Sequence, residues 1–298
     1  MSRDPRKTIR STAGADDRKR LSPLLDAAYR FDARHGGRLL RGLGKGVFSI
    51  FEWLYALAYI PTIRNRIPAL DPNLSEVSWI PINQDIPGGG GVALPQEVMD
   101  RLIEASNYRV IIDFCACRKV YGCKQYPQEV GCLFMGRSAK RISKSMCREA
   151  TVADAKAHVR RAIAAGLVPL VGEARADHDL LRIPFEGTLL TSCFCCECCC
   201  LSRFLSRGPL GIVDGIMKPV EGFSIAVTDA CIGCGVCETK CFIKAIKVFG
   251  GRAVINEYCR ICGRCVAACP QNAIHLKLDN PHAANDVVAR ILSRVDLS

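Results

Sequence analysis

The residues best suited to chemistry in this chain are its cysteines, 19 among 298 residues against only 5 histidines. Eight form two sets with the same spacing, Cys-x2-Cys-x2-Cys-x3-Cys: Cys231, Cys234, Cys237 and Cys241, then Cys259, Cys262, Cys265 and Cys269. Soft sulfur donors select iron–sulfur clusters, zinc or copper(I). Three thiolates two residues apart wrap a tight loop around one face of an inorganic core, and loop amides can donate to its sulfides. Gly233, Gly235 and Gly263 permit the close backbone approach such a loop needs. The fourth cysteine of each set begins a helical turn leading away from its own loop and so reaches toward the other set. Zinc ribbons would instead need two Cys-x2-Cys pairs, not a run of three plus one.

Ten further cysteines make a second system. Cys115, Cys117, Cys123 and Cys132 lie in CACRKVYGCKQYPQEVGCLFMG, and Cys193, Cys195, Cys196, Cys198, Cys199 and Cys200 crowd into SCFCCECCC, while Cys147 stands apart. In an extended run alternate side chains share a face, which puts Cys196, Cys198 and Cys200 on one side and Cys193, Cys195 and Cys199 on the other. Such a run contacts two metal centres more easily than it grips one. The preferred reading is that these ten residues bind one or two additional iron–sulfur clusters. The alternatives are a closed zinc knot, redox-active thiols without metal, or incidental buried cysteines. Arg118, just after Cys117, is either a hydrogen-bond donor to an anionic cluster or an ordinary surface residue.

The elements that position these residues follow from pattern. LPQEVMDRLIEAS carries an apolar stripe after Pro95, RVIIDF (109–114) reads as a strand running into Cys115, and Thr151 with Asp154 caps a helix that stops at Gly166. Residues 228–248 align with 256–276 at a period of 28, each copy ending in an Ala-Ile-containing return strand. NDVVARILSRV (285–295) reads as an amphipathic helix. The expected domains are a basic N-terminal segment with an apolar helix (1–66), an extended Pro/Gly-rich linker (67–93), a cysteine-rich metal-binding domain (94–201), a linker (202–223), a four-cysteine-repeat domain (224–278) and a C-terminal helix (279–298). His158 and His275 read as structural residues. The four glycines at 88–91 have no helix signature after them and make no phosphate cradle.

Over 224–278 the chain resembles the bacterial-type dicluster 4Fe-4S ferredoxins. The resemblance implies that Cys231, Cys234, Cys237 and Cys269 hold one cubane and that Cys241, Cys259, Cys262 and Cys265 hold the other. Pro270 fits the family pattern, while Phe242 sits where the first half usually has proline. Over about 75–278 the chain is also similar to ferredoxin-containing proteins of anaerobic bacteria and archaea. The shared elements are Cys-x-Cys-Arg, Cys-Leu-x-x-Gly and a cysteine-packed run ahead of the ferredoxin module. The implied fold class is α+β, with a C-terminal two-fold pseudo-symmetric dicluster ferredoxin module and a mixed helical, cysteine-rich middle domain.

Charge and hydropathy narrow the setting. The net charge is +12, and residues 1–66 carry 14 Lys+Arg against 6 Asp+Glu. The ferredoxin-like stretch itself carries 7 against 3 (counted over 224–278), which favours docking to an acidic redox partner. No nucleic-acid-binding fingerprint accompanies the charge, so no nucleic acid is expected. The first 20 residues show no secretory signal, so a cytoplasmic, reducing setting is expected, where thiols ligate metal. VFSIFEWLYALAYI (47–60) would extend only about 21 Å as a helix, too short to span a bilayer. Its two readings are burial against the domain core or a partner, and peripheral membrane contact at the cytoplasmic face.

The expected function is relay of single electrons through two 4Fe-4S clusters and one or two more, as a subunit or partner of a larger redox enzyme. No catalytic set is visible, so the chain reads as an electron-transfer component of an oxidoreductase system rather than an enzyme alone. One rival is a catalytic iron–sulfur oxidoreductase whose substrate-binding cluster is built from the 193–200 run. The other is a ferredoxin-like protein with zinc held structurally in the middle domain.

Overall fold

The computed structural model describes residues 38–82 and 94–298. The glycine run 88–91, and the part of the basic segment before residue 38, lie outside the described residues. The chain is α+β. Six antiparallel strands form the main sheet: β1 (Glu76–Trp79), β2 (Arg109–Ile112), β3 (Leu133–Met135), β4 (Cys147–Glu149), β5 (Val168–Glu173) and β6 (Leu190–Cys195). Their spatial order is β1-β5-β6-β3-β2-β4.

Both faces of the sheet are covered, and the period-two alternation of its strands sorts residues between them. Ile111, Leu133, Met135, Val171 and Phe194 face one core with three helices, α3 (Leu94–Ala105), α5 (Val152–Ala164) and α10 (Ala283–Arg294). Their neighbours in sequence, Val110, Ile112 and Phe134, face a separate core on the opposite side. Trp79, Val168 and Cys195 also face that opposite side, against α7 (Leu210–Ile216) and residues Phe242, Ile243 and Ala245. Helix α5 starts with a full capping box: the Asp154 amide donates to Thr151 Oγ1 at 3.1 Å, and the Thr151 amide donates to Asp154 Oδ2 at 3.1 Å. It stops where Gly166 takes a left-handed φ of 74°.

The Pro-rich stretch read as a linker contributes more than a connection. Residues 76–79 form an edge strand paired with β5, because Val77 and Trp79 have an apolar face to bury there. Arg290 of α10 clamps that strand, donating to Glu76 at 3.0 Å and to Ser78 Oγ at 2.9 Å. The pairing depends on Gly172: a Cβ there would stand 2.0 Å from the Glu76 carbonyl oxygen and 2.7 Å from Val77 Cα, at a φ of 151°. Gly172→Ala is therefore expected to loosen β1 and cost roughly 1–3 kcal/mol, read as a lowered unfolding midpoint. An unchanged midpoint would mean that β1 is not held as described.

Helix α1 (Arg38–Leu57) includes most of the apolar segment 47–60. Phe48 is buried and packs near Tyr121 at 5.8 Å between ring centroids, and Glu52 pairs with Arg207. The outer side leaves Ile50, Trp53, Tyr59 and Ile60 exposed, Trp53 at 70%. Among the described residues no helix is long and apolar enough to cross a membrane.

The C-terminal region repeats one order of elements. β7 (Phe223–Val227), α8 (Val236–Lys240) and β8 (Ile246–Phe249) are followed by β9 (Arg252–Ile255), α9 (Arg264–Ala267) and β10 (Ile274–Leu278). β7 pairs with β10, and β8 pairs with β9. The two halves also exchange equivalent backbone bonds: Thr228 N donates to Ala273 O at 2.8 Å, and Asn256 N donates to Ala245 O at 2.9 Å.

Candidate metal centres

Each half of the repeat delivers its cysteines in the same way. A loop with left-handed residues carries the first two, Gly233 and Gly235 in one half and Ile261 and Gly263 in the other. A short helix then carries the third, Cys237 on α8 and Cys265 on α9. The helix ends near the fourth, after which Lys244 or Asn272, both at positive φ, turns the chain into its return strand. Glycine is needed most at Gly233, where a Cβ would meet Gly251 backbone at 2.5 Å.

Two cavities result. One, of about 300 Å³, is lined by Cys231, Cys234, Cys237 and Cys269 with Ile232, Pro270 and Ile274. The other, of about 380 Å³, is lined by Cys241, Cys259, Cys262 and Cys265 with Trp79, Phe242, Arg260 and Arg264. In each, three cysteines come from one set and the fourth from the other. Neither cavity is lined by a carboxylate or an imidazole, so the donors are thiols alone. Main-chain amides already point at sulfur: Ala253 to Cys231 at 3.4 Å, Ala245 to Cys241 at 3.2 Å and Ala273 to Cys269 at 3.3 Å. Such bonds pull the Cys231 thiol below its ordinary range, whereas burial pushes Cys262 well up and Cys265 to about 12. This donor set fits a 4Fe-4S cluster: four thiols set around a partly open pocket, with backbone donors at the sulfurs.

The middle block sorts into two groups. Strand β6 ends at Cys195, and residues 197–199 turn, closed by Cys200 N donating to Cys196 O at 3.3 Å. The alternation expected for an extended run therefore fails beyond Cys195. Cys199 joins Cys196 and Cys198, and Cys200 folds back against Cys195 at 3.0 Å. Helix α4 (Ala116–Tyr121) separates the earlier cysteines: Cys115 and Cys117 sit at its start, and Cys123 follows Gly122, which ends it with φ 64°. Six helical residues put roughly 9 Å between those ends.

One group is Cys123, Cys196, Cys198 and Cys199, whose sulfurs all lie within 4.8 Å of one another. The other surrounds Cys195 and Cys200, with Cys115 and Cys117 hydrogen-bonded to each other nearby and Cys132 3.3 Å from Cys193. The bond from Cys117 brings the Cys115 thiol down to about 6, and Cys117 rises correspondingly. Cys147 belongs to neither group; its thiol bonds Ser143 O at 3.3 Å.

Arg118 is not a surface residue. It is 1% exposed and donates to the carbonyls of Pro127 (2.8 Å), Phe194 (2.7 Å) and Val130, bracing the loop between the two groups. Burial pulls its pKa down, but the surrounding thiols, Cys115 first, push it up overall. His158 is a buried strut with Nε2 2.9 Å from Gly131 O, its pKa pulled below the ordinary imidazole value by desolvation, and His275 is exposed on β10.

Two connections between the cysteine systems were not anticipated from sequence. Glu197, inside the cysteine run, is bound by Tyr126 Oη at 2.8 and 3.0 Å, Lys240 Nζ at 3.0 Å and Arg264 Nη2 at 2.8 Å. Lys240 and Arg264 immediately precede Cys241 and Cys265. Trp79 stacks on Phe242 at 4.7 Å, lines the larger cavity and stands beside Cys195. Burial raises the Cys195 thiol, and the Trp79 indole N–H acts against that rise. The position where the ferredoxin pattern has proline thus carries an aromatic that packs the module onto the sheet. A lone acid among buried thiols signals a need for cationic partners, but its partners lie 43 and 67 residues away.

Comparison with known proteins bears on the repeat. Residues 253–275 match a 4Fe-4S binding domain. Over 48 residues, 16% of this chain, the sequence is 52% identical to a component of the ion-translocating oxidoreductase complex of Methanosarcina acetivorans. The chain covers 18% of that relative's length. No solved structure matches. The chain carries a ferredoxin-type, 4Fe-4S-binding module.

Proposed function

We propose that the protein is an electron-transfer component of a larger oxidoreductase system, with two 4Fe-4S clusters in its C-terminal module and one or two further metal centres in its middle domain. The observation that carries this reading is the crossed grouping of eight cysteines around two cavities, three from one set and one from the other in each. Bound there, such clusters supply reversible one-electron redox chemistry. Cys231, Cys234, Cys237 and Cys269 hold one, and Cys241, Cys259, Cys262 and Cys265 hold the other. The chain's own part is to fix the ligands, donate backbone hydrogen bonds to their sulfurs and shield the inner site behind Trp79 and Phe242. Exchange of elements between the halves supports a two-fold pseudo-symmetric dicluster module.

The named relative belongs to an ion-translocating oxidoreductase complex, which supports assembly with redox partners here. Ile232 and Val236 beside the smaller cavity, and Phe249 and Val254 on the β8–β9 hairpin, are exposed apolar residues. They suit the close approach of a redox partner. Exposed Ile50 and Trp53 on α1 support either a partner contact or peripheral membrane contact.

Anaerobic reductive titration followed by paramagnetic resonance tests the proposal. Two separately reducible C-terminal centres are expected, unperturbed by small-molecule substrates. A chain with no reducible centre would contradict the electron-transfer reading, and a substrate-dependent spectral change would favour catalysis at the middle domain.

A further inference from the structure

The ten middle-domain cysteines do not all serve the same kind of centre. We infer that Cys123, Cys196, Cys198 and Cys199 bind a single tetrahedral metal ion, zinc or ferrous iron, without inorganic sulfide. This deepens the metal-binding reading of the middle domain and is independent of the C-terminal clusters.

The spacing of the four sulfurs matches a single ion. Tetrahedral thiolates about 2.3 Å from one ion stand roughly 3.8 Å from each other. Here Cys198 lies 3.6 Å from Cys123, 3.6 Å from Cys196 and 3.4 Å from Cys199, and every pair of the four is within 4.8 Å. A cubane gives each thiolate its own iron and so must hold the four sulfurs much further apart, and among the described residues no three of the eight C-terminal cysteines bring their sulfurs within 4.8 Å of one another. All four donor positions are filled by protein sulfur, the closed arrangement of a structural site rather than a catalytic one.

The surroundings suit a compact anionic centre. Arg118, held by three carbonyls, places its guanidinium beside Cys196. Arg203 donates to the Cys198 carbonyl and covers the Tyr121 ring at 4.7 Å. The turn at 197–199, which broke the expected alternation, is what gathers Cys196, Cys198 and Cys199 on one side. Three of the four cysteines are buried, and only Cys198 is exposed. Ligation at this site would pin the end of α4 to the end of β6, fixing the middle domain.

The test is a stoichiometry. Each cubane contributes iron and sulfide in equal number, so total iron plus zinc minus acid-labile sulfide counts single ions. Anaerobically purified full-length protein is expected to show an excess of one metal per chain. That excess should vanish in Cys198→Ser and in Cys123→Ser, with sulfide unchanged. Whether zinc or iron disappears identifies the ion. No excess in the wild-type protein would overturn the inference without needing any variant. So would an excess that survives both substitutions, or a loss of iron and sulfide together. Absence of sulfide altogether would instead refute the C-terminal cluster reading and leave this one standing.

Discussion

Cys269→Ser is expected to remove the centre held by Cys231, Cys234 and Cys237, although 32 positions separate it from Cys237 in the chain (269 minus 237). The reason is spatial: Cys269 lines the smaller cavity with those three residues, while its own run-mates Cys259, Cys262 and Cys265 line the other. Losing one of four thiolates should reduce iron by up to four per chain and abolish one of the two reducible signals. The reciprocal change, Cys241→Ser, should act on the centre of Cys259, Cys262 and Cys265. Iron analysis with paramagnetic resonance on both variants reads the outcome. Selective loss of the Cys259–Cys265 centre in Cys269→Ser would show that each set closes on itself.

The second large effect is expected at Glu197. Its carboxylate is about 9% exposed and binds the 10%-exposed Arg264 guanidinium. Neutralising it removes the counter-charge of a largely buried cation whose other partners, the Gly166 carbonyl and the Tyr126 hydroxyl, are uncharged. Breaking a buried pair in this way costs about 3 kcal/mol. Glu197→Gln should therefore lower the thermal midpoint by roughly 5–10 °C. A double-mutant cycle with Arg264→Gln separates the pair from its surroundings: the double variant should be less destabilised than the sum of the singles. Strict additivity would mean that Glu197 and Arg264 are not coupled as described.

What the sequence reveals depends on how local each signal is. The 28-residue repeat, the capping box at Thr151 and Asp154, and the amphipathic C-terminal helix are encoded within a few turns of chain, and each appears where its residues place it. The edge strand at Glu76–Trp79 is masked by flanking prolines, because only its partner β5, nearly a hundred residues later, reveals a face to bury. The 193–200 run misleads for a similar reason. Alternation assumes an extended chain, and the turn at 197–199 depends on partners that approach Glu197 from Tyr126, Lys240 and Arg264. Arg118 follows the same logic in part, since two of its carbonyl acceptors, Pro127 and Val130, lie in the loop that follows its own helix, but the third, Phe194, is on a strand 76 residues away. Ligand-bearing motifs are thus readable, while the contacts joining one cysteine system to the other are not.

Quantifying iron and acid-labile sulfide in anaerobically purified protein tests the central claim most directly. Two cubanes in the C-terminal module require at least about 8 iron and 8 sulfide per chain, with the absorption of a thiolate-ligated cluster. Colourless protein lacking iron and sulfide, prepared without exposure to oxygen, would contradict the account.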